Sequence, residues 1–379
     1  MINIFQPNIT QESIDLLKNV FESNWLGRGK VVSEFESKLS AFLSIDKSKI
    51  TTMSCCSDAI FAITKVLSDI DSRKTIIIPS ISFPAVGSGV KASGLNLKII
   101  DVNPNNGNIS LDHLKDALDE DTLGIFLTHY AGIPVDTEKI REIVGDKIYI
   151  LEDSACALGS FFETNVSVGS FADFSCWSFD AMKLLVAGEG GAAYIKDEEI
   201  MKRFKEYLYL GLPAQDKSGL DKSGDDNNWW EYQLNDFGVR SVFTDINAAI
   251  ALPQFKTLNR ALQKKENIRK KYIESIKNNK FLSYSIQEGA FKYSNYFFTV
   301  LTEHRDNFAR YMKGNGIYCT FRYYPLNEID IFKDTSQIGS MDGTNIFANQ
   351  ALNIPIHHNL TDDNIDWICE SLASYVKPE

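Results

Sequence analysis

Between residues 49 and 195, short runs of β-branched, aliphatic and aromatic residues alternate with stretches whose apolar positions recur every three or four residues. The runs are KITTM (49–53), TIIIP (75–79), LKIIDV (97–102), LGIFLTH (123–129), KIYILED (147–153), FSCWSF (174–179) and GAAYI (191–195). Between them, DAIFAITKVL (58–67) and VDTEKIREIV (135–144) have helical spacing. This alternation predicts a largely parallel sheet with helices on both faces. The expected fold class is therefore α/β, with a large, mostly parallel seven-stranded sheet and a smaller C-terminal α+β domain.

The pattern breaks at residues 211–230 (GLPAQDKSGLDKSGDDNNWW), where glycine, serine and aspartate precede two tryptophans. A polar segment this long inside a compact chain predicts a functional or flexible loop. From 244 to about 278 the spacing is helical, with a kink expected at Pro253. Then follow FKYSNYFFTVL (291–301), a helix over RDNFARYMKGNG (305–316), a strand over IYCTFRYYP (317–325) and a last helix opened by Thr361 and Asp362. The expected division is 1–245, a large domain with an N-terminal segment, and 246–379, a long linking helix with the small domain.

Composition narrows the function. The 379 residues are 44% hydrophobic and 23% charged, and the net charge of −11 is spread among interspersed acidic and basic residues. That argues against nucleic acid or an anionic membrane as partner, so an anionic ligand would need a local basic site. Cys55, Cys56, Cys156, Cys176, Cys319 and Cys369 have neither zinc-finger spacing nor the density of a disulfide scaffold, as expected of reduced thiols in the cytoplasm. Neither an export signal nor a membrane span is expected.

The candidate chemistry centres on Lys183. It lies between the FSCWSF run and the glycine-rich turn Gly188, Gly190, Gly191, and the KIYILED run upstream ends on Asp153. In α/β sheets ligands gather at the carboxyl ends of strands. A lysine and an aspartate at neighbouring strand ends suit pyridoxal phosphate: the amine holds the aldehyde as an imine, and the carboxylate keeps the pyridine nitrogen protonated. Taken singly, each residue reads as a solvated surface group or a helix cap. Ser54 to Asp58 (SCCSD) follows the first run and opens a helix, where backbone amides and the Ser57 hydroxyl suit a phosphate. Phe83 in PSISFPA leaves another strand end, Ser178 offers a further hydroxyl, and Arg240 offers a guanidinium suited to bidentate phosphate contact. Other classes fit less well. His113, His129, His304, His357 and His358 do not form a ligand spacing with nearby carboxylates, and SCCSD stands where a dinucleotide fold would need G-x-G-x-x-G.

Taken in order, NWLGRGKVVSEFESKLSAFL (24–43), PSISFPA, GLNLKIIDVN, HYAGIPVD, EDSACALGS, WSFDAMK…GEGG, TDINAAI and LNIPIHHNLTDDNI resemble the DegT/DnrJ/EryC1/StrS family of sugar aminotransferases across nearly the whole chain. The resemblance implies the aspartate aminotransferase-type fold, pyridoxal 5′-phosphate, and transfer of an amino group from L-glutamate to a keto- or aldehydo-sugar. It implies Lys183 as the Schiff-base lysine and proton carrier, Asp153 as the pyridinium partner and Phe83 as the stacking ring. Ser57, Asp58 and Ser178 become the phosphate cup. Three positions depart from the family pattern. Cys56-Ser57 replaces Gly-Thr, Cys156 stands where a glutamine or histidine contacts the ring hydroxyl, and Arg240 replaces an asparagine that reaches the phosphate across a dimer interface. The carry-over implies a homodimer with sites at the subunit interface.

Two substrates fit the resemblance. The leading expectation is the C8 aldehyde of oxidised 3-deoxy-manno-octulosonate, aminated on the way to lipopolysaccharide; the alternative is a nucleotide-linked 4-keto-6-deoxy sugar. Arg28, Arg322, Trp229 and Trp230 are the candidate substrate residues. A dehydratase of the same fold would have histidine in place of Lys183, and a vestigial relative would have lost Lys183 or Asp153; this chain retains both.

Overall fold

The computed structural model describes residues 1–162, 166–213, 228, 230–286 and 291–377. All seven apolar runs form strands of one sheet: β1 (Ile50–Met53), β2 (Thr75–Pro79), β3 (Asn96–Ile100), β4 (Thr122–Thr128), β5 (Tyr149–Asp153), β6 (Phe174–Ser178) and β7 (Gly191–Ile195). Three shorter strands follow, β8 (Ser283–Tyr284), β9 (Phe298–Leu301) and β10 (Ser336–Ile338), and then β11 (Ala351–Ile354).

The large sheet has the order β1-β7-β6-β5-β4-β2-β3-β10, so an eighth strand joins the seven expected. Strand β10 has the sequence SQI, too short and polar to register as an apolar run, and pairs parallel with β3. Only β7 runs against its neighbours, antiparallel to both β1 and β6. The consequence is geometric. The carboxyl ends of β1, β5 and β6 and the amino end of β7 all reach one edge, in a register that aligns Met53 and Ser178 with Gly191.

Strand residues alternate between two cores, as the period of two requires. Ile76 and Ile78 face the layer that holds the Cys56–Ile70 helix, whereas Ile77, Ile100, Ile125 and Leu127 face the layer of the Leu111–Ala117 and Thr137–Val144 helices. Each fully buried Ile or Leu contributes about 1.5–3 kcal/mol relative to exposure. The N-terminal helices Gln11–Glu22 and Lys30–Leu43 pack against the Asp245–Ala251 helix. Asp245 fastens that junction by accepting hydrogen bonds from the Gly29 and Val32 amides, both at 2.9 Å.

The smaller layer is a three-stranded antiparallel sheet, β11-β9-β8, packed on the helices Phe255–Ile276, Arg305–Gly314 and Asp362–Ser374 around Tyr272, Val300, Phe308 and Ile368. Pro253 lies in a single 3-10 turn, Leu252–Gln254, between the Asp245–Ala251 and Phe255–Ile276 helices, so the kink falls where a missing N–H predicts it. Thr361 caps the last helix, accepting from the Asn364 amide. Two expectations need correction. Residues 317–325 form no regular strand: their pairing is limited to isolated bridges, Ile317 with Ile2 and Thr320 with Asn353. The segment after 246 is also not confined to the small layer. It returns to the large sheet through β10, and Asp101 accepts hydrogen bonds from the amides of Gly343 and Thr344.

Candidate active site

The sheet edge defined by Met53, Gly191 and Ser178 opens into a cavity of about 610 Å³. Among its lining residues are Cys56, Ser57, Phe83, Asp153, Ser178 and Lys183. Gly191 makes the arrangement possible. A Cβ there would lie 2.6 Å from the Cys55 carbonyl carbon and 2.6 Å from the Cys56 nitrogen, so only glycine lets the 54–56 turn fold against the strand. The Cys56–Ile70 helix thus begins at the cavity wall, and its N-cap, Cys55, makes no side-chain capping bond. Its first amides stay open to an anion, at the positive end of the helix dipole.

Behind this turn stands Asp58. It does not line the cavity, contrary to its expected place in a phosphate cup. Its carboxylate accepts hydrogen bonds from Ser54 Oγ and Ser241 Oγ, each at 2.6 Å, while Ser241 Oγ accepts from the Ser54 amide at 3.0 Å. The turn is therefore held from below by an acid and two hydroxyls.

Asp153 ends β5 and is 5% exposed. One oxygen accepts the Ala155 amide at 3.1 Å, and among the described residues no salt bridge reaches the carboxylate. Burial pushes its pKa up, opposed by the Ala155 amide and the Lys183 charge. A buried carboxylate of this kind needs a cationic partner, and the cavity is where one could stand.

Lys183 is half-buried, with its Nζ 3.7 Å from Cys156 Sγ and 4.5 Å from the centre of the Tyr296 ring. Burial pulls its pKa down, but nearby Cys156, Tyr296 and Asp153 push it up and prevail. Burial in turn raises the Tyr296 phenol to about 12 and raises the Cys156 thiol.

Phe83 is 44% exposed and meets Tyr323 edge-on at 5.6 Å. An open phenylalanine face on a cavity wall suits a flat ring. Arg322 also lines the cavity, with its guanidinium 5.3 Å from the Phe5 ring and 3.4 Å from Met182 sulfur.

The other candidates lie elsewhere. Arg28 is bound to Glu36 at 2.6 Å and to Thr52, so its guanidinium braces β1 outside the cavity. Arg240 is exposed, outside its own chain's cavity, over the Tyr209 ring at 5.1 Å. Trp230 is 60% exposed and is not among the lining residues; Trp229 and most of the 211–230 segment lie outside the described residues. Tyr296, Tyr323 and Ser241 were not anticipated, nor was the part Ser54 plays in holding Asp58. Ser54 and Ser241 adjoin predicted positions, but nothing in the aromatic-rich 291–301 and 317–325 runs separates a cavity tyrosine from a core one.

The donor set fits pyridoxal phosphate: open helix amides with Ser57 and Ser178 for the phosphate, Phe83 for a ring face, Asp153 for the ring nitrogen and Lys183 for the aldehyde. Cys156, with its Sγ next to Lys183 Nζ, would offer such a ring only a weak hydrogen-bonding group.

The model of the DegT/DnrJ/EryC1/StrS aminotransferase family matches residues 7–373. The chain is 31% identical, over 100% of its own length and 97% of the relative's, to dTDP-4-dehydro-2,3,6-trideoxy-D-glucose 4-aminotransferase from Saccharopolyspora spinosa. Among solved structures it is similar to the aminotransferase TlmJ from Streptoalloteichus hindustanus, with TM-score 0.89, 29% identity and coverage of 99% and 98% of the two chains. It also shares its fold with Spr1654 from Streptococcus pneumoniae, at 24% identity and TM-score 0.89 for the PMP-form and 0.87 for the PLP-form, with at least 98% of each chain covered. The chain therefore belongs to the DegT/DnrJ/EryC1/StrS aminotransferase family and has the pyridoxal phosphate-dependent type I fold.

Proposed function

We propose that the cavity holds pyridoxal 5′-phosphate and transfers an amino group from L-glutamate to the keto group of a nucleotide-linked deoxy-sugar. The observation that carries the reading is the half-buried Lys183 amine in one cavity with a buried Asp153 carboxylate that has no salt-bridge partner among the described residues. The 31% identical relative is named for a dTDP-linked 4-keto sugar. That supports the nucleotide-linked substrate over the octulosonate aldehyde.

When bound, the cofactor supplies an electron-withdrawing ring on which a carbon–hydrogen bond of the amino donor can be broken. The chain's own residues do the rest. Asp153 keeps a negative charge at the ring nitrogen, so the ring stays protonated. The amides at the start of the Cys56–Ile70 helix, with the Ser57 and Ser178 hydroxyls, anchor the phosphate. Phe83 covers one ring face and excludes water. Lys183 Nζ, on the same cavity wall, would carry the proton taken from the donor's α-carbon. Arg322, on the cavity wall, receives the donor carboxylate. The balance is one amino group for one carbonyl oxygen: glutamate leaves as 2-oxoglutarate and the sugar leaves as the amine.

We further read the enzyme as a homodimer in which Arg240 reaches the partner's phosphate site. Its exposure outside its own cavity, beside Phe237 at 90% exposed and Val239 at 43%, supports that reading. The test is an absorbance spectrum of the purified protein before and after L-glutamate. A visible band that bleaches on adding glutamate is expected; no band even after adding pyridoxal phosphate would refute the proposal. Screening nucleotide-linked keto-sugars against octulosonate aldehyde then decides the acceptor.

A further inference from the structure

Strand register places Cys176 of β6 directly beside Asp153 of β5 on adjacent parallel strands. The Cys56–Ile70 helix begins above them, and its first residue carries a thiol where the family pattern has glycine. Cys56 Sγ, Cys176 Sγ and a carboxylate oxygen of Asp153 lie within 4.8 Å of one another, and all three residues are buried. Among the described residues this is the only such group of three. Two further observations point to a ligand. Asp153 spends one oxygen on the Ala155 amide, and no hydrogen bond reaches the other among the described residues. Cys56 and Asp153 both line the 610 Å³ cavity, which supplies an entry path and room for a water as fourth ligand.

We propose that Cys56, Cys176 and Asp153 form a binding site for a thiophilic divalent cation, zinc(II) being the reference case, that excludes the cofactor by occupying Asp153. Two sulfurs and one oxygen suit a borderline-soft ion with a tetrahedral preference. Zinc–sulfur bonds of about 2.3 Å and zinc–oxygen bonds of about 2.0–2.2 Å put ligand atoms about 3.5–3.8 Å apart, so the group need close by only about 1 Å. Binding releases the two thiol protons to solvent, forms two metal–sulfur bonds and one metal–oxygen bond, and changes no oxidation state. The competition rests on the assignment of Asp153 to the ring nitrogen. With one Asp153 oxygen held by the Ala155 amide, a metal ion on the other takes the place of the pyridinium N–H, so the cofactor-free chain would take the cation and the loaded chain would refuse it. In a family member with glycine at the Cys56 position the site lacks a sulfur.

The experiment titrates cadmium(II), a spectroscopic stand-in for zinc(II), into the reduced, cofactor-free full-length protein and follows thiolate-to-metal absorbance in the near ultraviolet. The expected result is one cadmium per chain, displaced by zinc, and weakened about tenfold or more in Cys176→Ser and in Cys56→Gly. In Cys55→Ser, which changes the neighbouring thiol, uptake persists. Preloading with pyridoxal phosphate is expected to suppress uptake. Absence of the band, or a band that survives both Cys56→Gly and Cys176→Ser, overturns the site. A band that needs both thiols yet ignores pyridoxal phosphate sustains the cation site and instead refutes the placement of the cofactor on Asp153.

Discussion

Ser241 and Asp58, 183 residues apart in sequence, are joined by a 2.6 Å hydrogen bond from Ser241 Oγ to the Asp58 carboxylate. The same hydroxyl accepts the Ser54 amide, so one serine closes the turn at the helix start onto the segment that carries Arg240. Ser241→Ala leaves that amide without its partner, at a cost of about 1–3 kcal/mol in the turn. The expected outcome is cofactor affinity about tenfold weaker, with kcat at saturating pyridoxal phosphate little changed. Equilibrium titration of the cofactor-free protein measures the first and steady-state kinetics the second; a large fall in kcat alone would place Ser241 among the reacting groups instead.

Asp153→Asn preserves shape and removes charge. Because the carboxylate is buried at a strand end with no salt-bridge partner among the described residues, its charge acts on whatever stands in the cavity. The expected loss in kcat is about 100-fold or more, with cofactor occupancy changed far less. Lys183→Ala is expected to abolish both turnover and the visible band. Normal turnover in Lys183→Ala would exclude the proposed chemistry.

Gly191→Ala tests the close approach of β7 to the 54–56 turn. The added methyl meets backbone atoms of Cys55 and Cys56 at 2.6 Å, and backbone cannot swing aside as a side chain can. Overpacking of this kind costs about 1–3 kcal/mol. A lowered melting temperature and weaker cofactor retention are expected together, since strand and turn move as one. Thermal unfolding with and without pyridoxal phosphate checks both.

These residues also show what was legible beforehand. The seven runs formed strands because each carries a stretch of mainly β-branched, aliphatic or aromatic residues, as a sheet covered on both faces requires. Strand β10 escaped notice because Ser336–Ile338 is polar and borrows its stability from β3. Residues 317–325 read as a strand on β-rich composition, but their neighbour β11 pairs in regular register with β9, leaving one bridge at Thr320. Lys183, Asp153, Phe83, Ser57 and Ser178 do line one cavity, because the segments that leave the strand ends converge at one edge of the sheet. Asp58 was misplaced by one layer: local sequence shows that a helix begins there, not which side chain turns inward to hold Ser54.

Arg240→Ala probes the subunit interface. The guanidinium packs on Tyr209 within its own chain, so the substitution removes that contact as well as any contact in trans. With the dimer intact by sedimentation, cofactor dissociation is expected to speed up severalfold. An unchanged dissociation rate in a dimeric variant would remove Arg240 from the phosphate site.

Lys265 sits on the inner face of the Phe255–Ile276 helix, 4% exposed, and among the described residues it has no hydrogen-bond or ion-pair partner. In sequence it belongs to a KKEN run that looks like a solvated face. Burial lowers its pKa to about 7 from an ordinary 10.5. The unfolded chain therefore binds a proton that the folded chain lacks between those values, and stability falls as pH drops from about 10.5 to 7. His357 and His358 extend the same trend: burial lowers both to about 4, so stability falls further as pH drops from about 6.5 to 4. Lys265→Met retains the length of the side chain and removes the buried amine. It is expected to stabilise the protein by about 1–3 kcal/mol at pH 7 and to flatten the upper limb while leaving the histidine limb in place. Melting temperatures from pH 4 to 10 measure both limbs. An upper limb of unchanged slope in Lys265→Met would mean that this lysine reaches water or a partner in the folded protein.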